Sequence, residues 1–327
     1  MENLLNDPSR ASISLAVAVR NGARYIEQAL TGINAQTRAP DQVVLINDGS
    51  QDATLDILNR FRDQAPQYVQ VISQPQRGLA AARNAALTAA TTTWQIILDA
   101  DDVPGPALVE KMASVVETRP QTALAFCRVR YVDQHLTPTG VVSPWPGDQL
   151  DFTDFLRANP MHSTSGTILR RDAALAVGAF DETLTAMADV DMAVRIGQAG
   201  GRLHAVDEVV VDYRKHKGQV TSDWRRLRDN WERLFEKARI EAPKRVGPLE
   251  RTARAENAVF WATMAYQAEE FSDARQLMRR AWIDAPGVLA RKRGAWMRSA
   301  ACLATRLPRP LHDALQRGAN AVGRAVR

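Results

Sequence analysis

An open α/β domain on a mainly parallel sheet, with a helical extension behind it, is the fold this sequence predicts. Three observations carry that prediction. Four short apolar runs, Ile13–Val19 and residues 43–46, 69–72 and 95–98, alternate with stretches of helical periodicity, the rhythm of βα units. Polar residues gather where those runs end, which is where open α/β sheets bind their ligands. Beyond Asp223 the texture changes to arginine-rich helices.

At 327 residues the chain has room for one substantial domain and something smaller. Its 45% hydrophobic and 24% charged residues argue against disorder. Two cysteines, Cys127 and Cys302, are too few and too far apart for a disulfide framework or a cysteine-rich metal site. No run is long enough to span a bilayer and no basic-then-apolar signal segment opens the chain, so a cytoplasmic protein is expected. The net charge of +5 is unevenly spread, with Arg225-Arg226, Arg279-Arg280 and Arg291-Lys292-Arg293 in the last third. Such a region can touch nucleic acid or an anionic membrane surface; a solvated helical face is the plainer alternative.

In chain order, the first strand, Ile13–Val19, turns at Arg20, Asn21 and Gly22 into a helix over residues 23–34, where Tyr25, Ile26, Leu30 and Ile33 recur at helical spacing. The second strand ends in Asn47-Asp48-Gly49-Ser50. Ser50 or Asp52 can cap the helix that holds Ile57, Leu58 and Phe61; a carboxylate here can instead accept from a base N–H or a sugar hydroxyl. After the third strand, Arg77 and Gly78 open an alanine-rich helix over 79–89, whose first N–H groups and Arg83 suit an anion. A surface salt bridge is the simpler role for Arg83. The fourth strand empties into Asp99, Asp101 and Asp102. Carboxylates this close repel unless a cation offsets them, and hard oxygen ligands suit Mg²⁺ or Mn²⁺; capping the following helix is the alternative. Neither a G-x-G-x-x-G after the first strand nor a G-x-x-x-x-G-K-S/T loop occurs, so phosphate chemistry here must be metal-centred.

A helix is expected over 103–117, a strand over 123–132 and irregular chain over 141–160, where Trp145, Pro146 and Asp148 either border a substrate groove or pack locally. A strand over 163–169 and a helix over 171–177 follow. Asp189 and Asp191 fall at the start of a helix over 190–199, where the dipole keeps a carboxylate ionised and available as a base; plain N-capping competes. A strand over 206–211 runs into Tyr213-Arg214-Lys215-His216-Lys217, and His216 can ligate a metal, contact phosphate or do neither. Residues 257–269 and 272–281 suggest a helical hairpin, with Ala262, Ala274, Ala281 and Pro286 spaced as in one tetratricopeptide unit. The final segment sets Trp296, Met297, Leu303 and Leu307 among arginines, which fits a membrane-surface helix or, more simply, ordinary packing.

Taken as an ordered set, LAVAVRNGARYIEQALTGINAQT, VVLINDGSQDAT, QPQRGLAAARNAAL, IILDADD, GAFDETLTAMADVDMAVRIGQAG and YRKHKGQV resemble the family 2 glycosyltransferases over about residues 12–220. The resemblance implies a GT-A fold, Rossmann-like with a mixed, mainly parallel sheet, over a catalytic domain 1–222 followed by a basic helical region 223–327. It also implies a nucleotide-diphosphate sugar as donor, Mn²⁺ or Mg²⁺, and inversion at the anomeric carbon. Asp48 looks like the family's nucleoside-binding carboxylate, with Val19, Asn21 and Arg83 on the same nucleotide-binding side. Asp99 and Asp101 look like the D-x-D pair, Asp99 near the ribose or metal shell and Asp101 most directly at the metal, while Asp102 caps or supports them. Asp189 resembles the base of a Glu-Asp pair. Ala188 replaces the partner here, so Asp189 acts alone or Asp191 shares its task. His216 is similar in placement to a histidine that relatives bring to metal or diphosphate. The implied acceptor is a glycan, a polysaccharide, a lipid-linked sugar or a protein, in cell-surface assembly, with the basic region available for peripheral contact at the inner membrane face.

Two other functions fit parts of the sequence. A nucleotidyltransferase also pairs aspartates with a metal, but it wants a glycine-rich basic loop after the first strand, for which Arg20-Asn21-Gly22 is a poor substitute. A basic helical interaction or nucleic-acid-binding protein would leave the aspartate-tipped strands without a task.

Overall fold

The computed structural model describes residues 10–65, 67–216, 218–290, 298–299 and 302. The Arg291-Lys292-Arg293 cluster, Trp296, Met297, Leu303, Leu307 and Lys217 lie outside the described residues, and so does the role expected for the tail.

The described chain folds into two compact units, one of Met1–Phe155 with Asn159–Gln219, the other of Leu156–Ala158 with Val220–Arg327. The first is built on β1 (Ile13–Val19), β2 (Gln42–Asp48), β3 (Val69–Gln74), β4 (Trp94–Asp99), β5 (Val103–Pro104), β6 (Thr122–Val132), β7 (Pro138–Val142), β8 (Gln149–Leu150), β9 (Thr167–Arg170) and β10 (Arg202–Arg214). They form one mixed sheet in the order β3-β2-β1-β4-β9-β6-β10-β5, with β7 on β6 and β8 on β10. β1, β2, β3 and β4 are mutually parallel. β9 is antiparallel to both β4 and β6, so β6 and its parallel partner β10 run the same way as the first four. The order reverses between β2-β1 and β4, and a crevice opens at such a switch point, beyond the strands' carboxyl ends.

The helices of this unit are α1 (Ile26–Asn34), α2 (Thr54–Gln64), α3 (Leu79–Ala89), α4 (Leu108–Thr118), α5 (Phe152–Arg157, whose last two residues belong to the second unit), α6 (Arg171–Ala176) and α7 (Ala188–Gln198). Strand alternation sorts the core into two faces. Leu15 and Val17 of β1 and Val43 and Leu45 of β2 join Ile26, Leu30 and Ile33 of α1, Leu58 of α2 and Met112 of α4. Burying each such side chain contributes on the order of 1.5–3 kcal/mol. The other face receives Ala16, Val44 and Ile46, packed on Ala82 and Ala86 of α3. Alanines at that contact let α3 come close to the strand ends.

Several element boundaries differ from expectation for local reasons. The helix expected from residue 103 begins at Leu108, because Val103–Pro104 instead forms β5 against β10; a residue before proline disfavours helical backbone. The strand expected from 163 begins at Thr167, since residues 163–165 spend their hydroxyls on the acidic cluster described below. β10 is 13 residues long, more than twice the six expected, and the irregular 141–160 stretch contains β8 and α5.

The second unit is helical: α8 (Trp224–Glu241), α9 (Pro243–Val246), α10 (Glu250–Gln267), α11 (Phe271–Asp284) and α12 (Pro286–Ala290). Asp223 caps α8, accepting from the N–H groups of Arg225 and Arg226. Trp231 stacks on Phe235 at 4.9 Å and meets Trp261 edge-on at 5.3 Å. α10 and α11 form a hairpin with Ala262, Ala274 and Ala281 fully buried in it. Arg225, Arg254 and Arg280 are ion-paired within this unit, the solvated-face behaviour that arginine-rich helices ordinarily show.

Candidate active site

The first side of the crevice is made by the ends of β1 and β2. Asn21 takes a left-handed φ of 51°; its side-chain oxygen accepts from the Gln51 N–H at 2.8 Å and its own N–H donates to Ser50 Oγ at 3.0 Å. Asn21 therefore ties two loops together. Val19 is buried beneath Gly22, where a Cβ would come within 2.3 Å of its Cγ2. Asp52 precedes Ala53, the N-cap residue of α2, and accepts from the Thr54 N–H and hydroxyl and from the Ala23 N–H. Asp48 is 3% exposed. Its carboxylate accepts from Gln74 Nε2 and from the N–H groups of Arg77 and Gly78, each at 2.8 Å. In the chain by itself Asp48 fastens the loop that opens α3, and Gly78 can supply that N–H because its φ of 96° suits glycine.

The centre is the end of β4. Asp99 is ion-paired with Arg83 at 2.7 Å, and its own N–H donates to Ser165 Oγ at 2.9 Å. Arg83 is itself buried and lies over the Phe180 ring at 5.7 Å; its ion pair is made with an acid of the crevice and not at the surface. Desolvation in the crevice raises the Asp99 carboxyl above 3.8, against the pull of Arg83 and with the help of the Asp101 and Asp189 charges. Asp101 Oδ2 meets His216 Nε2 at 2.8 Å, and the His216 ring lies 4.9 Å from that of Tyr25. Asp102, the acid held in reserve at the sequence level, is fully buried. It accepts from Ser165 Oγ at 2.5 Å, Ser163 Oγ at 3.3 Å and Arg214 N–H at 2.9 Å. Burial and the neighbouring Asp101 and Asp99 push its carboxyl well above 3.8.

The third side is the start of α7. Met187, at a left-handed φ of 60°, sets the helix off. Asp189 does not cap it; its Oδ2 accepts from Thr164 Oγ1 at 2.6 Å, and among the described residues its other oxygen has no hydrogen-bond partner. α3 holds the preceding segment, with Asn84 and Phe180 exchanging two hydrogen bonds at 2.8 and 2.9 Å. Asp191, expected to share the base's task, is 2% exposed and ion-paired with Arg195 at 2.6 Å. Arg195 also donates to the Val177 and Ala179 carbonyls, so the Asp191–Arg195 pair anchors the turn after α6.

Arg214 is the residue that sequence reasoning missed most completely. It is 1% exposed and donates to the Asp101 carbonyl at 2.7 Å, the Gln134 carbonyl at 3.0 Å and Gln28 Oε1 at 2.6 Å, with its guanidinium 4.6 Å over the Tyr25 ring. In the sequence it was one cation of a basic run; no spacing marks it as the clamp between the aspartate loop and β10. Asp148 does not border this crevice: its carboxylate pairs with Arg119 and its carbonyl accepts from the Ala205 N–H, near the opposite end of β10.

Comparison with known proteins agrees with this architecture. Residues 14–177 match the family model described as glycosyl transferase family 2, and the chain belongs to that family. An uncharacterized glycosyltransferase of Nostoc sp. is 35% identical over 106 residues, 32% of this chain and 33% of that protein. The amylovoran biosynthesis glycosyltransferase AmsE of Erwinia amylovora is 24% identical over 210 residues, 64% of this chain and 77% of the relative. This chain spans about a third of the length of the first curated relatives it matches. Among solved structures, the mannosyltransferase PcManGT of Pyrobaculum calidifontis, in complex with GDP-Man and Mn²⁺, aligns with a TM-score of 0.59 over 99% of this chain and 91% of its own at 20% identity. S. aureus TarS in complex with UDP aligns with a TM-score of 0.53 over 81% of this chain and 90% of its own at 15% identity. The shared fold is GT-A.

Proposed function

We propose that this chain transfers a sugar from a nucleoside-diphosphate donor to an acceptor hydroxyl, with a divalent cation and with inversion. One observation carries the reading: acids from the end of β4 and the start of α7 meet on one short loop. Asp99 donates its N–H to Ser165 Oγ at 2.9 Å, and Asp189 accepts from Thr164 Oγ1 at 2.6 Å.

Among the described residues no three His, Cys, Asp or Glu side chains converge as a metal cage. With Asp99 two residues away in the chain, Asp101 Oδ2 and His216 Nε2 fit the protein's share of a cation site. Their 2.8 Å separation is near that of adjacent ligands on one hard ion, about 3 Å for ~2.1 Å bonds at right angles. Mg²⁺ or Mn²⁺ bound there with the donor's diphosphate would offset the negative charge that develops on the leaving nucleotide. Asp48 holds the Arg77-Gly78 loop in place beside the nucleotide, and Arg83 keeps Asp99 oriented. Asp102 and Arg214 lock the aspartate loop to the strand that delivers His216.

Asp189 is the base. Thr164 orients its carboxylate through one oxygen, the start of α7 favours its charge, and the free oxygen takes the proton from the acceptor hydroxyl. No covalent protein nucleophile is needed, which agrees with inversion. The relative named for amylovoran biosynthesis supports a place in glycan assembly.

The test is calorimetry with a panel of nucleotide sugars, with and without Mn²⁺, followed by turnover of two variants. Asp101→Ala is expected to abolish metal-dependent donor binding and transfer. Asp189→Asn is expected to keep donor binding and lose roughly 10²- to 10⁴-fold in transfer. Normal kinetics in both would end the assignment, and a product with the donor's anomeric configuration, read by NMR, would end inversion.

A further inference from the structure

At the end of β10, next to His216 in the chain, stands a cation that the transfer chemistry does not use. Lys215 emerges from β10 between Arg214 and His216. Its ammonium stands 4.6 Å from the Tyr213 ring centre and 5.3 Å from that of Tyr131, and those rings meet edge-on at 5.5 Å. Among the described residues no carboxylate lies within ion-pair distance of it. Aromatic faces hold an ammonium in place but carry no net charge; buried Asp102 acts on it by its charge without forming an ion pair.

Tyr131 extends the same patch. Its hydroxyl lies 3.0 Å from His162 Nδ1. With the phenol donating to Nδ1, the ring proton of neutral His162 sits on Nε2 and is an N–H available to a ligand. His162 is exposed and two residues from Thr164, the residue that orients Asp189. Two residues of chain reach at most about 7 Å. The same short loop thus carries the support of the base and an imidazole next to an ammonium that makes no ion pair among the described residues.

We propose that Lys215 and His162 form an oxyanion subsite on the acceptor side, so that the acceptor carries a negative group close to the hydroxyl that is glycosylated. This rests on the transferase reading above. The shared chemistry is a compact oxyanion bound by one ammonium and one imidazole N–H, and it can belong to a sugar phosphate or to a uronic acid carboxylate. A neutral sugar would leave the ammonium unmatched.

The experiment titrates the full chain, saturated with Mn²⁺ and with UDP or GDP, whichever binds, with glucose 1-phosphate, glucuronate and methyl glucoside. Saturating nucleotide keeps phosphate out of the donor crevice. At least one of the two anions is expected to bind about tenfold or more tightly than the neutral glucoside, as one charge-assisted contact allows; which one does so separates phosphate from carboxylate. Lys215→Met is expected to erase that preference, Lys215→Arg to keep it, and His162→Gln to weaken it. Nucleotide affinity, measured in each variant, checks that the crevice is intact. Equal binding of anions and glucoside by the unaltered chain, or a preference that survives in Lys215→Met and His162→Gln, would overturn the subsite. Should neither nucleotide bind, the transferase reading is what fails, and the same titration of the unliganded chain and its Lys215 variants still decides the subsite.

Discussion

Asp102 and Asp191 are carboxylates buried to nearly the same extent, yet the chain deals with their charge in opposite ways. Asp191 faces Arg195, so removing it strands a cation that is 13% exposed. Asp191→Ala is expected to cost about 3 kcal/mol in denaturant unfolding, as breaking a buried pair does. Asp102 faces hydroxyls and one N–H, and its folded pKa lies above the ordinary 3.8. The folded state then binds more protons than the unfolded one between those two values, so stability falls as pH rises through that window. In metal-free protein, Asp102→Asn abolishes that ionisation, and its stability relative to the unaltered chain is expected to rise as pH is raised from about 4 towards neutrality. Parallel stability curves for the two proteins across that range would contradict the assignment.

Elements bring these residues together through contacts made at their ends. α3 is the connecting piece. Its alanine face reaches the sheet, Arg83 takes Asp99, Asn84 takes the Phe180 backbone, and its opening glycine is held by Asp48. Residues 79–89 were legible as this helix because alanine content, Gly78 at its start and the strand on either side all agree. The start of α4 was not legible in the same way. A helical pattern from 103 is locally reasonable, and only the presence of β10 turns Val103–Pro104 into a strand. α1 packs against that short strand so closely that a Cβ on Gly32 would lie 2.8 Å from Pro104 Cδ and 2.9 Å from its carbonyl oxygen. Gly32→Ala is therefore expected to destabilise by about 1–3 kcal/mol, seen as a lower denaturant midpoint with an unchanged slope.

At the scale of the whole molecule, the division into two compact units has a calorimetric consequence. A ligand that binds only the folded crevice stabilises the unit containing it, by ~2.7 kcal/mol at a hundred times its dissociation constant. Heating the full chain with Mn²⁺ and the selected nucleotide is expected to move one transition upward and leave that of α8–α12 where it was. A single transition moving as one would mean that the units unfold together.

Read without coordinates, the sequence established the βα rhythm, the aspartates at strand ends and the arginine-rich helices. Each is a local pattern of spacing, and a switch-point crevice follows from it. Which partner each carboxylate takes was decided only by the tertiary structure. Asp102 meets Arg214 across 112 positions and Asp101 meets His216 across 115, while Asp191 is taken up by Arg195 one helical turn away and Asp189 by Thr164 from another loop. A carboxylate's role depends on the charge and hydrogen bonds that surround it and on its distance from water. Those neighbours come from remote parts of the chain, and only folding sets them side by side.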